Sequence, residues 1–309
     1  QAAGMFDEGG EIRFDRQGHA TILMGTHSHG QGHETVFRQL LSDKLGLDFE
    51  AMRYVQGDTD LVGYGHGTGG SRVSGLGSGA LLGAAGKIID KGRLIAAHSL
   101  EAPAVDIEFV EGHFTVAGTD RSLSLAEIAA IAFEPALLPP GMDSGLQGFA
   151  TFKAPGPTFP NACHIAEVEI DRETGAVTLT NYTTVDDFGT MINPLLVAGQ
   201  VHGAVAQGVG QALFEQAVYA PDSGQLLSGS FMDYCMPRAD DLPSLDVAFN
   251  SVSCTTNPLG VKGSGEAGAI AGFPAVANAV LDALAPFGVK VLDGPATPEN
   301  VWRLLNPNR

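Results

Sequence analysis

One pattern that occurs twice constrains this chain more than any other feature. Glu11-Ile-Arg-Phe-Asp-Arg-Gln-Gly-His-Ala-Thr-Ile-Leu23 alternates apolar and polar residues around a turn at Gln17-Gly18. Glu167-Val-Glu-Ile-Asp-Arg-Glu-Thr-Gly-Ala-Val-Thr-Leu179 repeats it with Gly175 in the turn. Alternation of this kind buries one side of each strand, so both segments read as β-hairpins. Each leads through a Gly-rich or Asp-rich turn into helical spacing. The first helix is predicted over about His33 to Leu45, with Val36, Leu40 and Leu41 on its apolar face, and the second over about Pro194 to Glu215. The repeat far exceeds the ~20–50 residues of a solenoid unit, so it predicts two lobes of a duplicated α+β fold. The lobes are expected at residues 1–145 and 146–309, connected through the stretch from Glu134 to Pro160 with its six prolines.

Shorter signals fill in the first lobe. Tyr54 to Asp60 reads as a strand running into a turn, and Ala104 to Val116 as a further hairpin. Ser124-Leu-Ala-Glu127 is a capping box opening a helix to Phe133. Gly79-Ala-Leu-Leu-Gly-Ala-Ala-Gly86 suits a helix packed closely on another backbone.

Composition narrows the function classes. With 44% hydrophobic residues among 309, the chain can bury a substantial core. No apolar run is read as reaching the ~18 residues of a membrane span, and Gln1 to Gly10 lack the basic and apolar regions of a signal peptide. The first residue is Gln1 rather than Met, consistent with a truncation, a cleavage site or a chosen boundary. A formal net charge of -18 disfavours nucleic acid or an anionic membrane as partner. Cys163, Cys235 and Cys254 are widely spaced and form no C-x-x-C, which fits a reducing, cytoplasmic setting and leaves no iron–sulfur ligand set in this chain.

The stretch with the most chemical content is Asn257-Pro-Leu-Gly-Val-Lys-Gly-Ser-Gly-Glu266. Its glycines expose backbone N–H groups and let a ligand approach, and Lys262 would serve an anion. Pro274 is expected to open the helix that follows. Glu266 is a carboxylate where an anion cradle should least tolerate one. It is either an exposed turn residue or a base aimed at the reactive part of a ligand.

Three other stretches qualify. Thr26-His-Ser-His-Gly-Gln-Gly-His-Glu34 gathers three histidines, readable as a metal site or as an anion cradle of Gly30, Gln31 and Gly32 before a helix. Gly65-His-Gly-Thr-Gly-Gly-Ser-Arg72 offers hydroxyls and a bidentate Arg72 for phosphate, or is a surface loop. Val185 to Pro194 ends the second hairpin with two carboxylates, and Gly199-Gln-Val-His-Gly203 lies on the helix after it. Four such turns at equivalent points of a duplicated design are best explained by one long phosphate-bearing ligand.

These motifs, in this order, resemble the C-terminal half of the molybdenum-binding subunit of the xanthine oxidase family, with the nearest likeness to the large subunit of aerobic carbon monoxide dehydrogenases. The motifs are Gly25–Thr35, Gln56–Asp60, Gly67–Arg72, Val185–Gly189 with Ile192–Pro194, Gly199–Gly203 and Val261–Glu266. The resemblance implies a duplicated two-lobed domain holding molybdenum on molybdopterin, in bacteria usually the cytosine dinucleotide form. It implies that Gln31 bonds near the molybdenum oxo ligand, flanked by Gly30 and Gly32. Thr68, Gly69, Gly70, Ser71 and Arg72 would hold phosphate and pterin, and Gln200, Lys262, Gly263, Ser264 and Gly265 would contact the pterin. Glu266 would be the general base that deprotonates Mo–OH, whose oxygen then attacks the substrate carbon. Pterin sulfurs would hold the molybdenum, so no protein metal ligands are expected. The family also implies a further N-terminal half and iron–sulfur and FAD components on partner chains, without which this chain is expected to be inactive. The activity implied is that of a molybdenum-dependent oxidoreductase, carbon monoxide dehydrogenase or xanthine/aldehyde oxidase-like, with an aldehyde or N-heterocycle hydroxylase rather than a CO-oxidising enzyme, or a non-catalytic nucleotide- or partner-binding module, as alternatives.

Overall fold

The computed structural model describes residues 7–308, so the start of the Gln1–Gly10 stretch and Arg309 lie outside it. In chain order the elements are β1 (Asp7–Phe14), β2 (Ala20–Met24), α1 (His33–Leu45), β3 (Met52–Gln56), α2 (Val73–Ser99), β4 (Ile107–Val110), β5 (His113–Val116), β6 (Ser122–Ser124), α3 (Leu125–Ala132) and β7 (Gln147–Lys153). They continue with β8 (Asn161–Ile170), β9 (Val177–Asp187), α4 (Pro194–Leu213), β10 (Leu245–Phe249), α5 (Ala267–Leu284) and α6 (Pro298–Leu305).

The chain forms two compact units. The first comprises Gln1–Phe159, Thr190–Asn193 and Ser253–Gly263, and the second Pro160–Gly189, Pro194–Val252 and Ser264–Arg309. The chain first passes between them after Phe159 rather than at 145/146, because the proline-rich stretch contains β7, whose residues pair with β1 from Asp7↔Lys153 to Arg13↔Gln147.

The duplication is visible in the topology. In the first unit β1 and β2 pair antiparallel and, after α1, β3 joins β2 in parallel. In the second unit β8 and β9 pair antiparallel and, after α4, β10 joins β9 in parallel. Both hairpins turn as read, with Gly18 and Gly175 at φ 87° and 77°. Bonds of 2.9 Å close them, from Asp15 N–H to His19 O and from Asp171 N–H to Ala176 O.

The core of the first unit lies between its four-stranded sheet, in the order β3-β2-β1-β7, and the long helix α2. Ile12, Ile22, Met24, Leu81 and Ile88 are all 0% exposed there, each contributing about 1.5–3 kcal/mol by burial. α2 approaches closely because its face is small: a Cβ on Gly79 would meet the Phe152 ring at 2.4 Å, and one on Gly92 the Phe114 ring at 2.4 Å. α1 is stopped by Gly46 in the left-handed region, whose N–H caps Ser42 O at 2.8 Å. The Ser124–Glu127 capping box opens α3 as expected.

Two expectations are corrected in α5. The helix begins at Ala267, and Pro274 lies in its interior. An interior proline removes a backbone bond at a cost of about 3 kcal/mol. The helix nevertheless packs closely, because Gly268 and Gly272 let α4 approach backbone to backbone: a Cβ on Gly268 would lie 2.8 Å from Val201 O, and one on Gly208 of α4 2.9 Å from Gly272. The residues Ala267–Phe287 are also long and apolar enough to cross a membrane, with mean hydropathy 1.5, contrary to the sequence reading. That helix packs on α4 and β8.

Candidate functional site

Three Gly-rich segments meet in the first unit. A Cβ on Gly25 would lie 2.2 Å from Gly65 Cα, and Gly67 N–H bonds Gly25 O at 2.9 Å, so only glycines allow this contact. Thr68 then clamps the neighbouring turn. Its hydroxyl accepts from His27 N–H at 3.0 Å and donates to His27 O at 2.5 Å. Beneath that turn, Gln56 Oε1 accepts from Ser28 N–H at 2.9 Å and from the Tyr54 hydroxyl at 3.1 Å.

The cradle of the first turn consists of Gly30 at φ 107° and Gly32 at φ 75°, with Gly32 acting as N-cap of α1 and no side-chain cap. Gln31 is half-buried. Its Oε1 accepts from His29 N–H and from the Ser28 hydroxyl at 3.3 Å. The three histidines do not converge on a metal geometry. His27 and His29 pair through Nδ1 and Nε2 at 3.0 Å, whereas His33 is buried against Phe37. Among the described residues no group of three or more His, Cys, Asp or Glu could hold a metal ion. His33 Nδ1 is buried without a hydrogen-bond partner among the described residues, and burial together with His29 and His27 lowers the ring to a pKa of about 4.

In the second segment Gly67, Gly70 and Ser71 all have positive φ, at 68°, 62° and 52°. Among the described residues Gly69 has nothing within 4 Å of where a Cβ would stand, so its backbone is open on that side. Arg72 requires a correction. Read as a phosphate ligand, it is buried at 1% exposure. Its guanidinium donates to Glu8 Oε2 at 2.7 Å, to Gly67 O at 3.0 Å and to Asp7 O. Glu8, absent from the sequence-based site, is what holds it, and both side chains are 0% exposed. Arg72 therefore shapes the loop from behind, and Thr68 has both of its hydroxyl roles engaged with His27.

The third segment arrives from far along the chain. Asn257 folds it by accepting from Val261 N–H at 3.1 Å and donating to Val261 O at 2.9 Å. This brings Gly263 onto Ser71, where a Cβ would stand 1.7 Å from Ser71 O. A small cavity between these segments is lined by Ser71, Arg72, Gly75, Thr158, Val261 and Gly263. Lys262 is half-buried. Cys254 lies close by. Burial raises its thiol, but hydrogen bonds with Thr256 and Thr158 and the charge of Lys262 bring it below the usual thiol value.

The remaining predicted residues belong to the second unit. Ser264 and Gly265 lead into Glu266, an exposed residue at the N-cap of α5. A carboxylate there is favoured by the positive end of the helix. Gln200 is half-buried on α4. The packing of Gly268 on Val201 puts the Gln200 and Glu266 neighbourhoods at one end of the α4–α5 pair. Asp187, noted only as a possible turn residue, accepts from Gly189 N–H and Val252 N–H, both at 2.9 Å.

Residues 1–243 match the family described as molybdopterin cofactor-binding domain. The chain is 38% identical over 304 residues to the nicotine 6-hydroxylase large subunit of Paenarthrobacter nicotinovorans, covering 98% of this chain and 37% of that protein. Its fold superposes on the crystal structure of a Cu,Mo-CO dehydrogenase in its carbon monoxide reduced state with a TM-score of 0.89, at 32% identity, covering 98% of this chain and 38% of that one. It superposes on quinoline 2-oxidoreductase from Pseudomonas putida 86 with a TM-score of 0.88, at 36% identity, covering 97% and 38% of the two chains. The chain thus spans little more than a third of the proteins it matches. With these glycine-built loops, it belongs to the molybdopterin cofactor-binding domain family.

Proposed function

We propose that this chain is the cofactor-holding portion of the large subunit of a molybdenum hydroxylase, and that it works with iron–sulfur and FAD components on partner chains. The observation that carries the reading is the open glycine backbone. Among the described residues Gly30, Gly67 and Gly69 have no neighbour within 4 Å of a Cβ position, although Gly25, Gly65 and Gly263 are locked in backbone contacts. Glycines left open beside glycines that must be small fit a ligand that comes against the main chain, and pterin and phosphate groups suit such a surface.

When bound, the molybdenum–pterin group supplies the two-electron oxidation of a hydroxylation. The chain's own residues do the rest. The backbone of Gly69, Gly70 and Ser71 offers N–H groups to phosphate, and Lys262 supplies a positive charge. Gly263, Ser264 and Gly265 present backbone to the pterin, as the Gln200 amide presents its side chain. With the cofactor bound, the Gln31 amide would offer it a hydrogen-bond donor, and Glu266 would accept the proton released in the reaction. The long ligand implied by several phosphate-binding turns is read as the cytosine dinucleotide form.

The substrate class is a heteroaromatic ring carbon or carbon monoxide, as the relatives' names suggest. The test is the Glu266→Gln variant of the assembled enzyme, with molybdenum and cytosine nucleotide measured beside turnover of nicotine, quinoline and carbon monoxide. Cofactor content should hold while turnover of the accepted substrate falls at least ~100-fold. Near-normal turnover would remove Glu266 from the reaction, and a well-folded assembly without molybdenum would make the chain a binding module.

A further inference from the structure

The two repeats differ at one strand. In the first, β1 runs between β2 and β7; in the second, the order β10-β9-β8 leaves β8 with no strand on its other side among the described residues. The hairpins align Asp15-Arg16 with Asp171-Arg172, a shift of 156 residues. The part of β1 that pairs with β7, Asp7–Arg13, therefore corresponds to Cys163–Glu169 of β8. Exposure follows the difference. Gly9 of β1 is buried, whereas its counterpart Ile165 of β8 is 57% exposed, and Ile12 is 0% exposed where its counterpart Val168 is only half-buried.

The helix beside this edge is also incompletely covered. β7 packs on α2 through Phe152 against Gly79, Ala150 against Gly83 and Gly148 against Ala84 O. α5, which follows its own Gly-rich loop as α2 does, is strongly apolar, yet of its residues only Gly268, Gly272, Val276, Val280 and Leu284 are buried. Ile270 on it is 72% exposed. A long open strand edge next to an apolar helix is an aggregation template unless something covers it.

We propose that β8, from Cys163 to Glu169, accepts an antiparallel strand from the portion of the large subunit that this chain does not span, in the position β7 holds in the first repeat. The occupant is an extended segment free of proline, with small and aromatic side chains turned toward α5 as in β7, and Lys or Arg on the face shared with Glu167 and Glu169. The supply of such a segment is real in the relatives, of which this chain covers 37–38%. The inference rests on the reading of this chain as part of a larger enzyme.

The test is hydrogen–deuterium exchange on the chain alone and on the chain assembled with the unmatched portion of the large subunit. Phe14 N–H bonds Leu146 O at 2.9 Å, so by strand alternation Ile12 and Gly10 also turn their backbone toward β7. Their counterparts on the open edge are Ile170, Val168 and Ala166. Assembly should slow exchange of these amides by about tenfold or more. Ala166→Pro removes a donor from the open edge without touching the β9 ladder, and should weaken assembly about tenfold while the circular dichroism of the free chain is unchanged. An assembly in which these amides exchange as before would overturn the proposal. So would failure to assemble, protection that rises with the concentration of the chain alone, which points to a second copy, or protection of α5 by lipid vesicles alone. Molybdenum content of the assembly is read separately, so failure of the cofactor assignment and failure of the strand assignment give different results.

Discussion

Arg72 and Glu8 form an ion pair of 2.7 Å between Nη1 and Oε2 in which neither side chain reaches solvent. Removing one partner strands the other charge, at a cost of about 3–5 kcal/mol. Arg72→Met is therefore expected to lower the urea midpoint sharply, and the double variant Glu8→Gln, Arg72→Met to recover part of the loss. Equilibrium unfolding of the four species measures this coupling. A single variant costing under ~1 kcal/mol would mean that the pair is not the internal strut described.

Gly69 and Gly263 separate ligand contact from architecture. Gly263→Ala forces a Cβ to 1.7 Å from Ser71 O, so the 253–263 segment must leave its seat. Limited proteolysis should then cut that segment faster. Gly69 has a Cβ position with nothing within 4 Å and is not among the positive-φ glycines. Gly69→Ala should leave unfolding and proteolysis unchanged while molybdenum content of the assembled protein falls. Full cofactor content in Gly69→Ala would take this loop out of the binding surface.

His33 gives the fold a dependence on acidity. Burial, with the nearby charges of His29 and His27, lowers its pKa from 6.5 to about 4. The unfolded chain binds the proton first, so stability is full above pH 6.5, falls as pH drops, and has lost this contribution near pH 4. The loss between neutral pH and pH 5 is about 2 kcal/mol. His33→Phe, beside Phe37, should flatten this part of the urea midpoint against pH curve. An unchanged slope would assign the acid sensitivity to other groups.

Much of this architecture could be read from residue order. The hairpins at Gly18 and Gly175 and the helix from His33 to Leu45 announce themselves by local periodicity and turn chemistry, which tertiary packing did not override. What escaped reading depends on distant partners. β7 hides among prolines because its strand character is fixed by β1, over 130 residues earlier. Pro274 misled because α5 starts where Gly268 fits against Val201, a requirement set by another helix. Arg72 looked like an anion ligand until Glu8, from the first strand, took its charge. In each case the missing information was which remote group occupies the space.

The first unit includes residues 253–263, so its glycine contact at Ser71 cannot form until Gly263 has been synthesised. About 104 further residues must follow Phe159, some 5–20 s at ordinary ribosomal speeds. During that interval β1, β2, β3, β7 and α2 can assemble, but the open side of Ser71 stays without its strap. The second unit's strands and α4 emerge in the same interval, so the order of synthesis interleaves the two units. A ribosome-stalled chain ending before Asn257 would be a way to observe the half-closed first unit.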